Sequence, residues 1–182
     1  MFRRSIHADI YLTLLEERHA PTVFRVVDRE RNYLRRWLPW VDRTTSADDT
    51  KEFIRMSLQQ FADNDGLVAG IWCQDEFAGT IGTHKIDWPN RKVEIGYWIA
   101  AKFQGRGIIT DACRAVIAYA FHELELNRVE IDCAAGNLKS CAIPKRLGFE
   151  FEGIRREGQL LDGHYVDIHV YAMLARDWRN MT

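Results

Sequence analysis

Residues 67 to 100 hold three short runs rich in β-branched and aromatic residues, "LVAGIWCQ", "FAGTIGTHKI" and "KVEIGYWIA", separated only by "DE" and "DWPNR". Connections that short join antiparallel neighbours, because a parallel pair needs a long crossover. The stretch therefore predicts a three-stranded antiparallel meander, around which the rest of the chain must pack. In the third run Val93, Ile95, Tyr97 and Ile99 share one face, and Glu94, Gly96 and Trp98 share the other.

The flanks supply helices and further strands. "DIYLTLLE" (9–16) predicts a strand, and residues 19–38 predict a helix ending in "RRWLPWV". Ser46 and Asp49 form a capping box for the next helix, on which Ile54, Leu58 and Phe61 share a face. A helix over about 107–124 carries an apolar stripe of Ile109, Cys113, Val116, Ala120 and Leu124. "RVEIDCAA" (128–135) predicts a strand, and "NLKSCAIPKRLGF" a short helix from Asn137 to Gly148. Two strands, 149–160 and 164–175, meet at Asp162-Gly163, a hairpin signal. The expected fold is mixed α/β around one twisted sheet, and residues 1–182 read as one domain, without repeats or linkers.

Composition narrows the function classes. Lys plus Arg (25) and Asp plus Glu (26) nearly cancel, so no nucleic-acid partner is advertised. No apolar run is long enough for a membrane span, and the charged N-terminus lacks a signal-peptide core. Four cysteines without a C-x-x-C pair predict free thiols in a reducing cytoplasm. Six histidines without ligand spacing predict no metal.

The chemistry concentrates in two segments. "AKFQGRGIIT" runs from the third central strand into a helix. A dinucleotide fingerprint would need a third glycine at Thr110, and no P-loop motif occurs. What survives is a helix mouth whose free N–H groups and dipole suit a phosphate, with Arg106 beside it. A sharp strand-to-helix connection explains the glycines equally well. In the second segment Asn137 opens a helix, Ser140 follows one turn later, and Pro144 cannot donate to the Ser140 carbonyl, which predicts a kink or splay. Alone, that segment reads as an N-cap asparagine and a solvated serine.

Together, "EIGYWI…KFQGRGIIT" and "NLKSCAIPKRLGF" resemble the GNAT superfamily of N-acetyltransferases. "RRWLPWV", "ELNRVEI" and "LDGHYVDIHVYAML" add a resemblance to its ribosomal-protein-serine/alanine N-acetyltransferase branch. The chain departs from the superfamily pattern at Ile109, where a small residue is usual. The resemblance implies a mostly antiparallel sheet with a central splay, flanked by helices, and acetyl-CoA as co-substrate. It implies a pyrophosphate cradle of Gln104, Gly105, Arg106, Gly107, Ile108, Ile109 and Thr110. Backbone groups of Trp98 and Ile99 would meet the pantetheine arm and acetyl carbonyl. Asn137 would hold the arm, and Ser140 would serve the sulfur. Glu94 becomes the candidate base, Trp37 and Trp40 candidate walls of the acceptor pocket, and His84 a candidate lining residue.

Each role has a plainer counterpart. Glu94 can pair with Lys92 or a neighbouring Arg, Trp37 and Trp40 can be a lid over the core, and Cys141, without a His/Asp partner at the spacing an acyl-carrying nucleophile would need, reads as a packed thiol. The arginines at 25, 29, 31, 35 and 36 are helix-face charges by default, with steering of an acidic or RNA-bound substrate the other reading. The expected acceptor is the α-amine of a protein, possibly ribosomal in this branch. Roughly a tenth of such amines are neutral at pH 7, against well under a hundredth of lysines. A small amine (polyamine, amino acid or aminoglycoside) is the second reading, and a silent acyl-CoA sensor the third. Homo-oligomerisation through sheet edges near the C-terminal hairpin is a further expectation.

Overall fold

Eight strands form one sheet in the order β1-β2-β3-β4-β5-β6-β8-β7 in the computed structural model, which describes residues 3–7 and 9–181. The strands are β1 (Arg4–His7), β2 (Ile10–Leu14), β3 (Val68–Cys73), β4 (Glu76–Thr83), β5 (Lys92–Ile99), β6 (Arg128–Ala134), β7 (Glu150–Leu161) and β8 (His164–Leu174). All neighbours are antiparallel except β5 and β6. The central meander is β3–β4–β5, as its short connections require. Gln74 and Asp75 turn between β3 and β4 with φ of 50° and 61°. β4 stops at Thr83 rather than Ile86, because Ile86 leaves the sheet, buries its side chain and donates its N–H to Asp65 O.

The helices are α1 (Ala20–Arg29), α2 (Arg31–Leu34), α3 (Ala47–Ala62), α4 (Ile108–His122), α5 (Leu138–Arg146) and α6 (Ala175–Met181). The helix expected over 19–38 is broken at Glu30. Arg31 folds the following chain back by donating to the carbonyls of Val41 (2.6 Å) and Thr44 (2.7 Å). The capping box of α3 forms, with Asp49 N on Ser46 Oγ and Ser46 N on Asp49 Oδ2. Ile54 is fully buried, but Phe61 is 42% exposed, since the buried stripe of α3 ends at Ser57. α4 buries Ile108, Ala112, Cys113, Val116, Ile117 and Ala120; each isoleucine so buried stabilises by about 1.5–3 kcal/mol.

Two elements were not expected from the sequence. β1 is short and mostly exposed, and antiparallel pairing with β2 holds it. α6 is anchored by Trp178, buried beside Phe121 at 6.2 Å between ring centroids.

The feature that positions the site lies between β5 and β6. Their ladder covers only Lys92↔Arg128, Val93↔Val129 and Glu94↔Glu130. Beyond it β5 stays on β4 as far as Ile99↔Gly79, while β6 stays on β8 as far as Ala134↔Ile168. The sheet therefore divides into two antiparallel halves that splay at the middle.

Candidate active site

A splayed sheet leaves backbone groups unpaired along both lips of the gap. On β5, His84 N donates to Glu94 O, and Ala100 N donates to Ala78 O. Alternation along an antiparallel strand then turns the backbone of Gly96 and Trp98 toward β4, and that of Ile95, Tyr97 and Ile99 toward the gap. The backbone groups of Ile99 thus face the gap. Those of Trp98 do not: its N–H and carbonyl face β4, and its indole packs between Trp40 (6.3 Å) and Phe77 (5.9 Å). Of the backbone groups expected around Trp98 and Ile99, those that face the gap belong to the odd-numbered residues.

At the end of β5 the chain turns into α4 through Gly105 (φ 73°) and Gly107 (φ 76°). Both occupy the left-handed region that glycine tolerates. A Cβ on Gly105 would have nothing within 4 Å, so conformation, not a crowded neighbour, calls for glycine. The first helical i→i−4 bond is Asp111 N to Gly107 O. The N–H groups of Ile108, Ile109 and Thr110 precede it and remain at the positive end of the helix dipole. Their side chains point inward and are buried, the bulky Ile109 included. Arg106 lies over the Phe103 ring, 5.7 Å from its centroid, with Nη2 3.5 Å from Cys73 Sγ. A second guanidinium reaches the helix mouth: Arg146 of α5 donates to Thr110 Oγ1 at 2.8 Å. Gln104 Oε1 accepts from Lys139 Nζ of α5 at 2.8 Å, bridging the two flanks.

α5 begins on the opposite lip. Asn137 is its N-cap, its Oδ1 accepting from Ser140 N at 3.2 Å, which leaves the amide Nδ2 as a donor. Ser140 Oγ lies 3.3 Å from the Tyr97 hydroxyl and 3.4 Å from Cys133 Sγ. Tyr97 also donates to the Ser140 carbonyl at 3.3 Å. Burial holds the Tyr97 phenol well above its ordinary pKa and, as the largest cause, pushes the Cys133 thiol up to about 12. Cys141 is buried against Ala134 O at 3.6 Å, with His169 Nδ1 at 3.9 Å. It does not line the cavity described below, which suits a packed thiol.

On the other face, Glu94 has the His84 imidazole beside it, Nε2 to Oε1 3.7 Å, while Lys92 turns to Glu130 at 3.8 Å. Trp37 packs with Ala134, Leu161 and Ile168 in a satellite cluster apart from the main core. Asp132 is paired with Arg155 of β7, which reaches across β8. Most arginines of the N-terminal helices are engaged locally, Arg29 with Glu30, Arg31 with Asp28 and Arg35 with Asp42.

One cavity of about 1940 Å³ joins these parts, passing from Gly105–Thr110, Asn137 and Ser140 to Glu94, His84, Trp37 and Trp40. The candidate catalytic, cofactor-binding and substrate-binding residues all line it, Trp98 and Ile99 included. Tyr97, Arg146 and Asp132 also line it and were missed. Pro144 was the one signal available, since its missing N–H required a partner for Ser140 O. Among the described residues, no group of three or more His, Cys, Asp or Glu is placed to hold a metal ion.

Comparison with known proteins agrees with this geometry. Residues 9–150 match the model of the acetyltransferase (GNAT) domain family. The chain is 42% identical over 179 residues to YdaF of Bacillus subtilis (strain 168), covering 98% of each. It is 27% identical to the ribosomal-protein-serine acetyltransferase of Escherichia coli (strain K12), covering 93% of this chain and 94% of that one. It superposes with a TM-score of 0.93 and 26% identity on RimL, a ribosomal L7/L12 α-N-protein acetyltransferase solved with coenzyme A in disulfide linkage to a cysteine, covering 97% and 99%.

Proposed function

The chain belongs to the GNAT acetyltransferases, and from that premise we propose that it moves acetyl from acetyl-CoA to the N-terminal α-amine of a protein, a ribosomal one by analogy with its relatives. The observation that carries this reading is the cavity through the splay, with the N-terminal turn of α4 at one end and Glu94 at the other. Acetyl-CoA supplies an activated acyl group on a thiol leaving group. The chain's part is to hold it, receive the amine and manage protons.

The free N–H groups of Ile108–Thr110, with Arg106 and Arg146, fit a pyrophosphate. The gap-facing backbone of Tyr97 and Ile99 and the Asn137 amide fit the pantetheine arm. A strand N–H from Tyr97 or Ile99 steadies the negative charge that develops on the acyl oxygen. Glu94, with about a third of its side chain exposed, takes the amine's proton, directly or through water. Ser140 hydrogen-bonds the departing sulfur. An α-amine asks less of Glu94 than a lysine would, since more of it is already neutral.

The acceptor side favours a peptide over a small polycation. Asp132 is already matched by Arg155, while Trp37, Trp40, Phe53 and Met56 offer apolar wall. A cytoplasmic location suits four buried free thiols.

The test is to incubate the purified protein with acetyl-CoA and α-amine peptides, lysine peptides and polyamines, following free CoA and acceptor mass. A mass gain on α-amine peptides that falls in Glu94→Gln and Ser140→Ala is the expected result. Gain only on polyamines overturns the acceptor, and CoA binding without any product favours a sensor.

A further inference from the structure

Pro144 sits inside α5, so the Ser140 carbonyl lacks the donor that a helical residue 144 would normally supply. A buried carbonyl rarely stays unpaired. Here the partner comes from another element: the Tyr97 hydroxyl, at the lip of β5, donates to Ser140 O at 3.3 Å. The same phenol oxygen lies 3.3 Å from Ser140 Oγ. Tyr97 thus meets both the backbone and the side chain of one residue, while Asn137 Oδ1 fixes its N–H. We propose that Tyr97 is the positioning residue for the Ser140 hydroxyl, and that Pro144 frees the carbonyl through which it does so.

The arrangement has a chemical consequence. A phenol has one proton to donate. With it on the carbonyl, the Tyr97 oxygen can only accept from Ser140 Oγ. The hydroxyl of Ser140 then has two long-range acceptors, Tyr97 at 3.3 Å and Cys133 Sγ at 3.4 Å. The bond to Tyr97 lies beyond the usual O–H···O range and a thiol sulfur is a weak acceptor, so a thiolate arriving in the gap can accept the Ser140 hydrogen bond without breaking a strong one. Burial keeps the Tyr97 phenol protonated, which suits orientation rather than proton transfer. The inference rests on the reading that Ser140 serves the departing sulfur.

Thermal stability and kinetics of Tyr97→Phe, Pro144→Ala, Ser140→Ala and the doubles Tyr97→Phe/Pro144→Ala and Tyr97→Phe/Ser140→Ala test it. Phenylalanine strands the Ser140 carbonyl, and alanine at 144 returns a helical N–H to it. Tyr97→Phe should therefore lower Tm, and adding Pro144→Ala should restore it. The hydroxyl is not restored, so kcat should stay down by about tenfold or more in both, with the KM for acetyl-CoA changed less than about twofold. Tyr97→Phe/Ser140→Ala should be no slower than Ser140→Ala alone. Wild-type kcat in Tyr97→Phe, or multiplied losses in that double, overturns the positioning role. Failure of Pro144→Ala to restore Tm overturns the carbonyl assignment. If Tyr97→Phe alone does not purify, the Pro144→Ala double carries the kinetic test. A wild-type rate in Ser140→Ala would instead sink the role given to Ser140, and the Tm comparison would still decide the carbonyl assignment.

Discussion

Glu94 owes its place to a strand that changes neighbours beside it. It is the last residue of β5 laddered to β6, so its side chain stands where the gap opens, with His84 at 3.7 Å. If Glu94 removes the acceptor's proton, Glu94→Gln should cost on the order of 10²-fold in kcat/KM at pH 7, the low end for general-base catalysis. The deficit should shrink as pH rises through about 8, where a free α-amine loses its proton unaided. Rates measured between pH 6.5 and about 9 on an α-amine peptide check this, and a deficit constant with pH would point to a binding role. Trp98 shows how far the sequence reaches at this scale. Its side-chain face could be read from alternation, but the direction of its N–H could not. That direction depends on which neighbour β5 bonds at each step, and therefore on the register with β4. Pro144 announced an unserved carbonyl, yet Tyr97 as its donor required the fold.

Elements were readable where burial alternates and hidden where one contact holds them. The β3–β4–β5 meander and the Asp162-Gly163 hairpin follow from pattern and turn chemistry, the latter with φ of 46° and 78°. β1 has no apolar alternation, and α6 hangs on Trp178, so neither leaves a periodic signal. The helix break at Glu30 is made by Arg31 bonding carbonyls ten and thirteen residues ahead, a tertiary choice that local propensity does not contain. The turn into α4 gives the element-scale prediction. Gly107→Ala imposes a left-handed conformation on a residue with Cβ and should cost about 1–2 kcal/mol, although its nearest new contact, Asp111 Oδ2 at 3.8 Å, leaves space. Denaturant unfolding measures that loss. If the N–H groups after it hold a phosphate, CoA affinity should fall by more than the stability change explains. Affinity unchanged in a destabilised variant would leave the turn purely structural.

Across the whole molecule, two half-sheets share three residue pairs and a set of charges on one face. Arg128 of β6 bonds Glu130 and reaches Glu152 of β7 over the intervening β8. Its guanidinium holds the Glu152 carboxyl below the usual glutamate range. A carboxyl depressed in the folded state adds stability that is full above its unfolded value, about 4.3, and is lost as pH falls through the lower folded value. Glu152→Gln should therefore be less stable than the parent at pH 7 and approach it below about pH 4, as thermal melts across that range would show. The same half-sheet ends in an open edge. Among the described residues β7 pairs as a strand with β8 alone, most of its residues are exposed, and Phe151, Ile154 and Leu160 stand about half in water. An unpaired strand bearing apolar side chains is a template for another strand, and a second copy offers the same edge for antiparallel pairing. Light scattering over a concentration series should then find twice the monomer mass, and Ile154→Lys with Leu160→Lys should return the monomer while leaving Tm nearly unchanged, since neither side chain is in the core. A parent that stays monomeric at every concentration would mean that this edge is kept for something other than a second copy, with the charges of β7 sufficient to keep it apart.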